Sequence, residues 1–147
     1  MRRGFTLIEM TVVIAIMSIM VSCSVISVRY YKSIKNSIDA DYYCNATVGF
    51  INISKMYCRE NSCSATITFD ILKNEIKLRN GLNMVNKLIF SNKITLYEVQ
   101  GRRTNKDIII DKNGFSNDAC TITLKDNNLR EHEITMRVGT AYVKIQK

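Results

Sequence analysis

The sequence predicts an α+β fold: one long N-terminal helix, membrane-spanning in its first half and amphipathic in its second, packed on a mainly antiparallel β-sheet domain. The chain contains no proline, and its first part repeats apolar residues at helical spacing. Further along, the apolar period changes to two, which is typical of half-buried strands. A chain of 147 residues has room for this helix and one further domain of about 90 to 110 residues.

An apolar run near the N-terminus contains a single acid. From Phe5 to Val28 the only charged residue is Glu9. As a helix, residues 5–28 would be about 36 Å long at 1.5 Å per residue, which is enough to cross a bilayer core of roughly 30 Å. An acid is costly in a membrane helix, so we expect Glu9 to have a partner.

We expect the helix to continue through residues 29–58 as an amphipathic segment and to end near Tyr57, with the chain leaving it at Arg59–Ser62. Apolar residues about four apart are predicted to form the stripe that faces the globular domain: Ile34, Ile38, Tyr42, Val48 and Ile51.

Residues 59–147 are predicted to form the β-rich globular domain. Alternation indicates four strands, whose apolar faces are Ile67, Phe69 and Ile71; Cys120, Ile122 and Leu124; Ile134, Met136 and Val138; and Ala141, Val143 and Ile145. Turn chemistry is present at Asp111–Gly114 and at Asp126–Asn128, and a tight turn or bulge is expected at Gly139–Thr140.

Three interpretations of the N-terminal segment leave Glu9 unexplained. A secretory signal would need a shorter apolar core without an acid. A lipoprotein signal is indicated by Met20–Cys23, which loosely resembles a lipobox and would make Cys23 the acylated first residue of a membrane-tethered lipoprotein. A plain anchor has Arg2 and Arg3 on one side but basic residues on the other side too, so the positive-inside rule does not orient it.

The stretch Gly4-Phe5-Thr6-Leu7-Ile8-Glu9, preceded by two arginines, resembles the class III signal of type IV pilins and type II secretion pseudopilins. The resemblance implies a leader, residues 1–4, which a prepilin peptidase removes by cutting after Gly4. It also implies that the new amino terminus at Phe5 is methylated, and that the apolar segment stays on the mature protein.

The resemblance also supplies a partner for Glu9. Cleavage creates a cationic amine at Phe5, and in a filament the carboxylate of one subunit can meet the amine of its neighbour, which neutralises both charges. The implied partners are other pilin or pseudopilin subunits, the prepilin peptidase and the membrane, with an assembly ATPase and an inner-membrane platform acting indirectly. The implied location is the cytoplasmic membrane, crossed once with the C-terminal domain outside, and then a cell-surface or periplasmic filament.

The order of the elements resembles that of the H-type minor pseudopilins, a group that includes some DNA-uptake pilins. We therefore expect a minor pilin or pseudopilin, a structural subunit of a type IV pilus or a type II secretion-like pseudopilus without enzyme activity. The formal charge of +8 leaves the alternative of a competence-type minor pilin that binds DNA. Its phosphate contacts would come from a basic loop, Arg102, Arg103 and Lys106, for which a solvated surface is the other interpretation.

Catalysis and metal binding find little support in the sequence. His132 is the only histidine, in a setting that indicates a solvated strand or turn, and no phosphate-binding loop or zinc-protease signature occurs. No cofactor and no metal are therefore expected. Cys58, Cys63 and Cys120 are candidates for a disulfide outside the cytoplasm, with Cys58–Cys63 closing the shortest loop, and buried thiols are the alternative.

Overall fold

The computed structural model describes residues 6–101, 107–138 and 143–146. The chain divides into two compact units, Met1–Lys35 and Asn36–Lys147. Several of the residues singled out from the sequence lie outside the described ranges: Gly4, Phe5, Arg102, Arg103, Lys106, Gly139, Thr140 and Ala141.

Helix α1 spans Leu7–Glu60, which confirms the predicted long helix. Every residue from Leu7 to Lys32 is exposed. The helix contains an apolar window with a mean hydropathy of 2.4, so by length and composition it is able to cross a membrane. In this first segment the apolar side chains have no protein core to enter.

The second segment of α1 buries a different stripe from the predicted one: Ala40, Cys44, Thr47, Phe50, Ile51, Ser54, Lys55 and Cys58. The prediction is wrong for Ile34, Ile38 and Tyr42, which are 42%, 62% and 66% exposed, but it holds at Ile51, which is fully buried. Repeated steps of four residues rotate away from a fixed face, because a helix has 3.6 residues per turn. Six of the buried positions alternate steps of four and three instead: Ala40, Cys44, Thr47, Ile51, Ser54 and Cys58.

A complete Schellman motif ends α1 at the predicted exit. The N–H of Ser62 donates to the carbonyl of Arg59 at 3.3 Å, and the N–H of Cys63 donates to the carbonyl of Cys58 at 3.1 Å. Ser62 occupies the left-handed region with φ 48°. These bonds satisfy carbonyls that the last turn would otherwise leave without partners.

Eight strands follow α1: β1 (Ala65–Asp70), β2 (Glu75–Asn80), β3 (Asn83–Ile89), β4 (Ile94–Gly101), β5 (Asp107–Ile110), β6 (Cys120–Asp126), β7 (Glu131–Met136) and β8 (Val143–Gln146). They form two four-stranded sheets with strand orders β3-β2-β1-β5 and β4-β6-β7-β8. All neighbouring strands pair antiparallel. The α+β class and the antiparallel sheet are therefore confirmed.

The strands predicted from alternation bury the expected faces. Ile67, Phe69, Ile122 and Leu124 are all buried, and Val143 and Ile145 pack against the core. Val138 is an exception: it is 51% exposed and lies beyond the end of β7.

Strands β2, β3, β4 and β5 were not predicted from the sequence. β3 is the edge strand of its sheet, and nearly all of its side chains are exposed, so it has no buried face to produce alternation. A register shift opposite Leu78 and Arg79 disturbs the period further.

The side chain of Asp111 builds the predicted turn at Asp111–Gly114. Asp111 Oδ1 accepts the N–H groups of Asn113 and Phe115 at 2.9 and 2.7 Å. Gly114 follows in the left-handed region, φ 79°, and a Cβ added there would lie 2.8 Å from the carbonyl oxygen of Lys55. This turn therefore rests on the helix at a point where only glycine fits.

Asn74 joins the two sheets. It lies in the turn between β1 and β2 with φ 53°. Its Nδ2 donates to the carbonyl of Ile94 at 2.8 Å, and its Oδ1 accepts the N–H of Leu96 at 2.7 Å. The side chain thus pairs with β4 in the manner of a strand residue.

Candidate assembly site on the N-terminal helix

A capping box forms the start of α1. The backbone N–H and the hydroxyl of Thr6 donate to Glu9 Oε2 at 2.8 and 3.0 Å. In return, the N–H of Glu9 lies 3.4 Å from Thr6 Oγ1. The motif Thr-x-x-Glu ahead of an apolar run is the sequence signal of this cap, and it was not among the predictions from the sequence.

The capping box gives Glu9 a partner within its own chain and leaves the carboxylate with further capacity. Both bonds that it accepts from Thr6 go to Oε2. A carboxylate has about four acceptor positions, so a cationic donor can still bind it. Glu9 is exposed, as are the apolar residues that follow it.

Hydroxyl groups in the apolar segment are satisfied by the helix itself. Each donates to a carbonyl three or four residues earlier, at 2.8 to 3.0 Å: Thr11 to Ile8, Ser18 to Ala15, Ser22 to Ser18, Ser24 to Met20 and Ser27 to Cys23. Such bonds let hydroxyls sit in hydrocarbon without water. The surface of this segment is therefore suited to lipid or to other apolar helices.

The site residues predicted around Glu9 are only partly within the described chain. The cleavage position, Gly4 and Phe5, lies outside it, so the proposed amine contact stays a prediction. The basic cluster Arg102, Arg103 and Lys106 also lies outside, and no described contact favours DNA binding there.

His132 lies in β7 with a half-buried side chain. Its Nε2 is 3.8 Å from Asp126 Oδ2. The other oxygen of Asp126 accepts the N–H groups of Asn128 and Arg130, so this carboxylate builds the predicted turn. Within the described ranges no group of three or more His, Cys, Asp and Glu residues is placed to hold a metal.

The structure brings together two of the three candidate disulfide cysteines. Cys58 is buried and Cys63 is half-buried, and both are thiols. Burial, with Cys63 as a close neighbour, raises the pKa of Cys58 to about 11. Cys120 has Lys55 as its charged neighbour, and burial raises its pKa to about 12. The Cys58–Cys63 pairing itself stays a prediction.

Comparison with known proteins supports the N-terminal motif and the fold. Residues 1–22 match the family described as the prokaryotic N-terminal methylation motif. In this chain the motif leads into the long helix α1 and the two antiparallel sheets.

The fold is similar to that of the minor pseudopilin EpsH from the type 2 secretion system of Vibrio cholerae. The TM-score is 0.57 at 8% sequence identity, over 74% of this chain and 96% of that chain. At this identity the likeness shows the fold. A search of curated protein sequences finds no match.

Proposed function

We propose that this protein is a structural, non-enzymatic subunit of a type IV pilus or of a type II secretion-like pseudopilus, in a minor pilin or pseudopilin role. The observation that carries the proposal is the match of residues 1–22 to the N-terminal methylation motif, on a helix whose apolar surface is exposed from Leu7 to Lys32. That surface needs lipid before assembly and neighbouring helices afterwards.

Maturation begins with cleavage after Gly4 by a prepilin peptidase and methylation of Phe5. The protein then spans the cytoplasmic membrane once, with Asn36–Lys147 outside. An assembly ATPase and a membrane platform supply the energy and the site for insertion into the filament.

Mass spectrometry of the membrane-extracted protein tests this maturation. We expect a mature chain that begins at methylated Phe5, and Gly4→Leu should abolish cleavage. Gly49→Leu is the matched control, because nothing lies within 4 Å of a Cβ added at Gly49. A mature chain beginning at acylated Cys23 would establish the lipoprotein interpretation and refute the proposal.

In the filament, Glu9 pairs with the Phe5 amine of a neighbouring subunit. Two variants separate this contact from helix capping. Glu9→Gln keeps a capping-box residue but removes the charge, whereas Thr6→Ala removes the cap and keeps the charge. Because an amine without its counter-ion is strongly unfavourable in an apolar bundle, Glu9→Gln should lower incorporation by about tenfold or more.

Incorporation is measured as the fraction of the subunit that co-sediments with sheared filaments. Thr6→Ala should retain most of it. If Glu9→Gln assembles as well as the parent chain, or if Thr6→Ala alone prevents assembly, Glu9 acts through the cap and the proposed intersubunit contact is wrong.

A further inference from the structure

The Schellman motif at the end of α1 places two cysteines side by side. In this motif the third residue from the helix end and the second residue beyond the cap commonly make an apolar contact. Here those positions are Cys58 and Cys63, and a backbone hydrogen bond of 3.1 Å already joins them. Cys63 is also close enough to Cys58 to raise the pKa of its thiol. The cap geometry therefore places the two cysteines next to each other at the end of α1.

The two thiols differ in access. Cys58 is fully buried and accepts a hydrogen bond from the backbone of Ala65, the first residue of β1, with Asp111 also nearby. Cys63 is half-buried. An external reagent would thus reach Cys63 before Cys58. Cys58, on the buried side of Cys63, is placed to react next with the modified Cys63.

We propose that Cys58 and Cys63 form an intramolecular disulfide that fastens the end of α1 to the start of β1. The proposal rests on the proposed function for one point only, that Asn36–Lys147 lies outside the reducing cytoplasm. The bond would hold Ser62 in its left-handed conformation, φ 48°, and keep the last turn of α1 from fraying over the sheets.

The oxidant is a protein or small-molecule disulfide, which acts by thiol–disulfide exchange. The Cys63 thiolate attacks the donor disulfide, whose sulfur–sulfur bond breaks, and a mixed disulfide forms while one donor thiolate leaves. The released donor thiolate accepts the Cys58 proton, the Cys58 thiolate then attacks Cys63 Sγ, and the second donor thiolate leaves. The cysteine pair loses two electrons and two protons, and the donor disulfide is reduced to two thiols.

The other cysteines are placed differently. Cys120 is buried on β6 next to Lys55, and Cys44 lies 14 positions before Cys58 on the same helix, or about 21 Å along its axis. Cys23 is in the exposed apolar segment of Met1–Lys35. Among the three candidates that the sequence left open, this arrangement favours the pair Cys58 and Cys63.

Oxidation of the purified full-length protein in detergent tests the geometry without reference to location. The protein is reduced, incubated with oxidised glutathione, denatured, alkylated and digested without reductant. We expect one linked peptide pair, Cys58–Cys63, two hydrogens lighter than the thiol form, and none in Cys58→Ser or Cys63→Ser. Cys120→Ser is the matched control and should keep the link.

Three results would overturn the proposal in this experiment. They are alkylation of Cys58 and Cys63 as thiols throughout, a stable glutathione adduct on Cys63 without closure, and a link to Cys120 or Cys44. Thermal unfolding gives a second measure: reduction should lower the midpoint of the parent protein by about 5–10 °C and leave Cys58→Ser/Cys63→Ser unaffected. An unchanged midpoint for the parent would contradict a stabilising bond.

The same mapping on protein extracted from cells separates this proposal from the proposed function. A disulfide in vitro together with thiols and an unprocessed Met1 in cells would place the chain in the cytoplasm, which refutes the proposed function and leaves the geometry intact. A chain that starts at methylated Phe5 but keeps both thiols would refute the disulfide alone.

Discussion

The two segments of α1 share one continuous helical backbone but differ in which of their side chains are buried. From Leu7 to Lys32 every residue is exposed, and large apolar side chains point in all directions. From Ala40 to Cys58 one stripe is buried, and all of its members except Phe50 and Ile51 are small or polar. The more hydrophobic segment of α1 is therefore the one without a protein core around it, and the less hydrophobic segment is the one that packs in the core.

The comparison shows that no described part of this chain covers the apolar side chains of the first segment, whereas contacts within the chain decide which residues of the second segment are buried. The hydroxyls of both segments bond to the preceding turn, as Thr47 does to Tyr43 at 2.8 Å and Ser54 to Phe50 at 2.7 Å. A buried polar stripe is tolerated for the same reason that an apolar membrane segment tolerates serines. What separates the segments is the presence of two sheets over the second.

The largest expected loss of stability comes from truncating a side chain in the buried stripe of α1. Ile51→Ala should lower the free energy of unfolding by about 2–5 kcal/mol, because Ile51 is fully buried and its loss leaves a cavity. Ile53→Ala, two residues along the same helix and 56% exposed, should cost less than about 0.5 kcal/mol. Urea unfolding followed by circular dichroism measures both. Equal losses would mean that α1 is not packed on the sheets at this face.

The first segment should respond in the reverse way. Ile16→Ala, at 54% exposed, should leave the unfolding of Asn36–Lys147 unchanged and weaken filament incorporation, because only association covers this side chain. Co-sedimentation of the variant with filaments is the measurement. A destabilised domain with normal incorporation would remove the distinction between the segments.

The next largest loss of stability is expected from removing the Asn74 side chain, which joins the two sheets. Asn74→Ala should cost about 2–4 kcal/mol, because the carbonyl of Ile94 and the N–H of Leu96 lose their partners. Asn86→Ala on the exposed edge strand β3 is the control and should cost less than about 0.5 kcal/mol. Chemical denaturation of both variants tests this. If Asn74→Ala is neutral, water replaces the side chain and the sheets join by other contacts.

A smaller loss of stability is expected when the contact between the Asp111–Gly114 turn and α1 is disturbed. Gly81 and Gly114 both have positive φ, but only Gly114 has a neighbour in the way, the carbonyl oxygen of Lys55. Gly81→Ala should cost about 1–2 kcal/mol from backbone strain alone, and Gly114→Ala about 1 kcal/mol more. The difference in unfolding free energy measures the contact. Equal costs would show that the turn can lift from the helix.

The smallest effects are pH-dependent and have opposite signs at two lysines. Burial lowers the pKa of Lys55, so the unfolded chain binds that proton more tightly, and stability should rise with pH as it approaches 10.5. A hydrogen bond to Asp39 at 2.8 Å raises the pKa of Lys93, so its contribution is present below 10.5 and lost as pH rises through the raised value.

Lys55→Met and Lys93→Met separate the two contributions in thermal melts between pH 8 and 11. The first variant should lose the rise with pH, and the second should lose the fall. A steeper rise in Lys55→Met would mean that the buried ammonium is stabilised by its surroundings. Only the Lys93 effect should weaken with added salt, because it comes from an exposed ion pair.

Much of the fold was predictable because its signals are local. The extent of α1, the alternation in β1 and β6 and the turns at Asp111 and Asp126 each depend on residues within a few positions of one another. The buried stripe of α1 was not predictable from spacing alone, because Tyr42 and Ala40 differ by two positions and only the location of the sheets selects between them.

The sequence by itself determined the N-terminal motif, the apolar helix that follows Glu9 and the change to strand periodicity, since each is written in consecutive residues. Only the tertiary structure decided that two sheets share the domain, that Asn74 joins them, and that Ala40 rather than Tyr42 is buried. These are contacts between segments whose order in space depends on how all the strands pack at once. A local sequence pattern indicates which residues tend to be buried, and tertiary packing decides which other residues they contact.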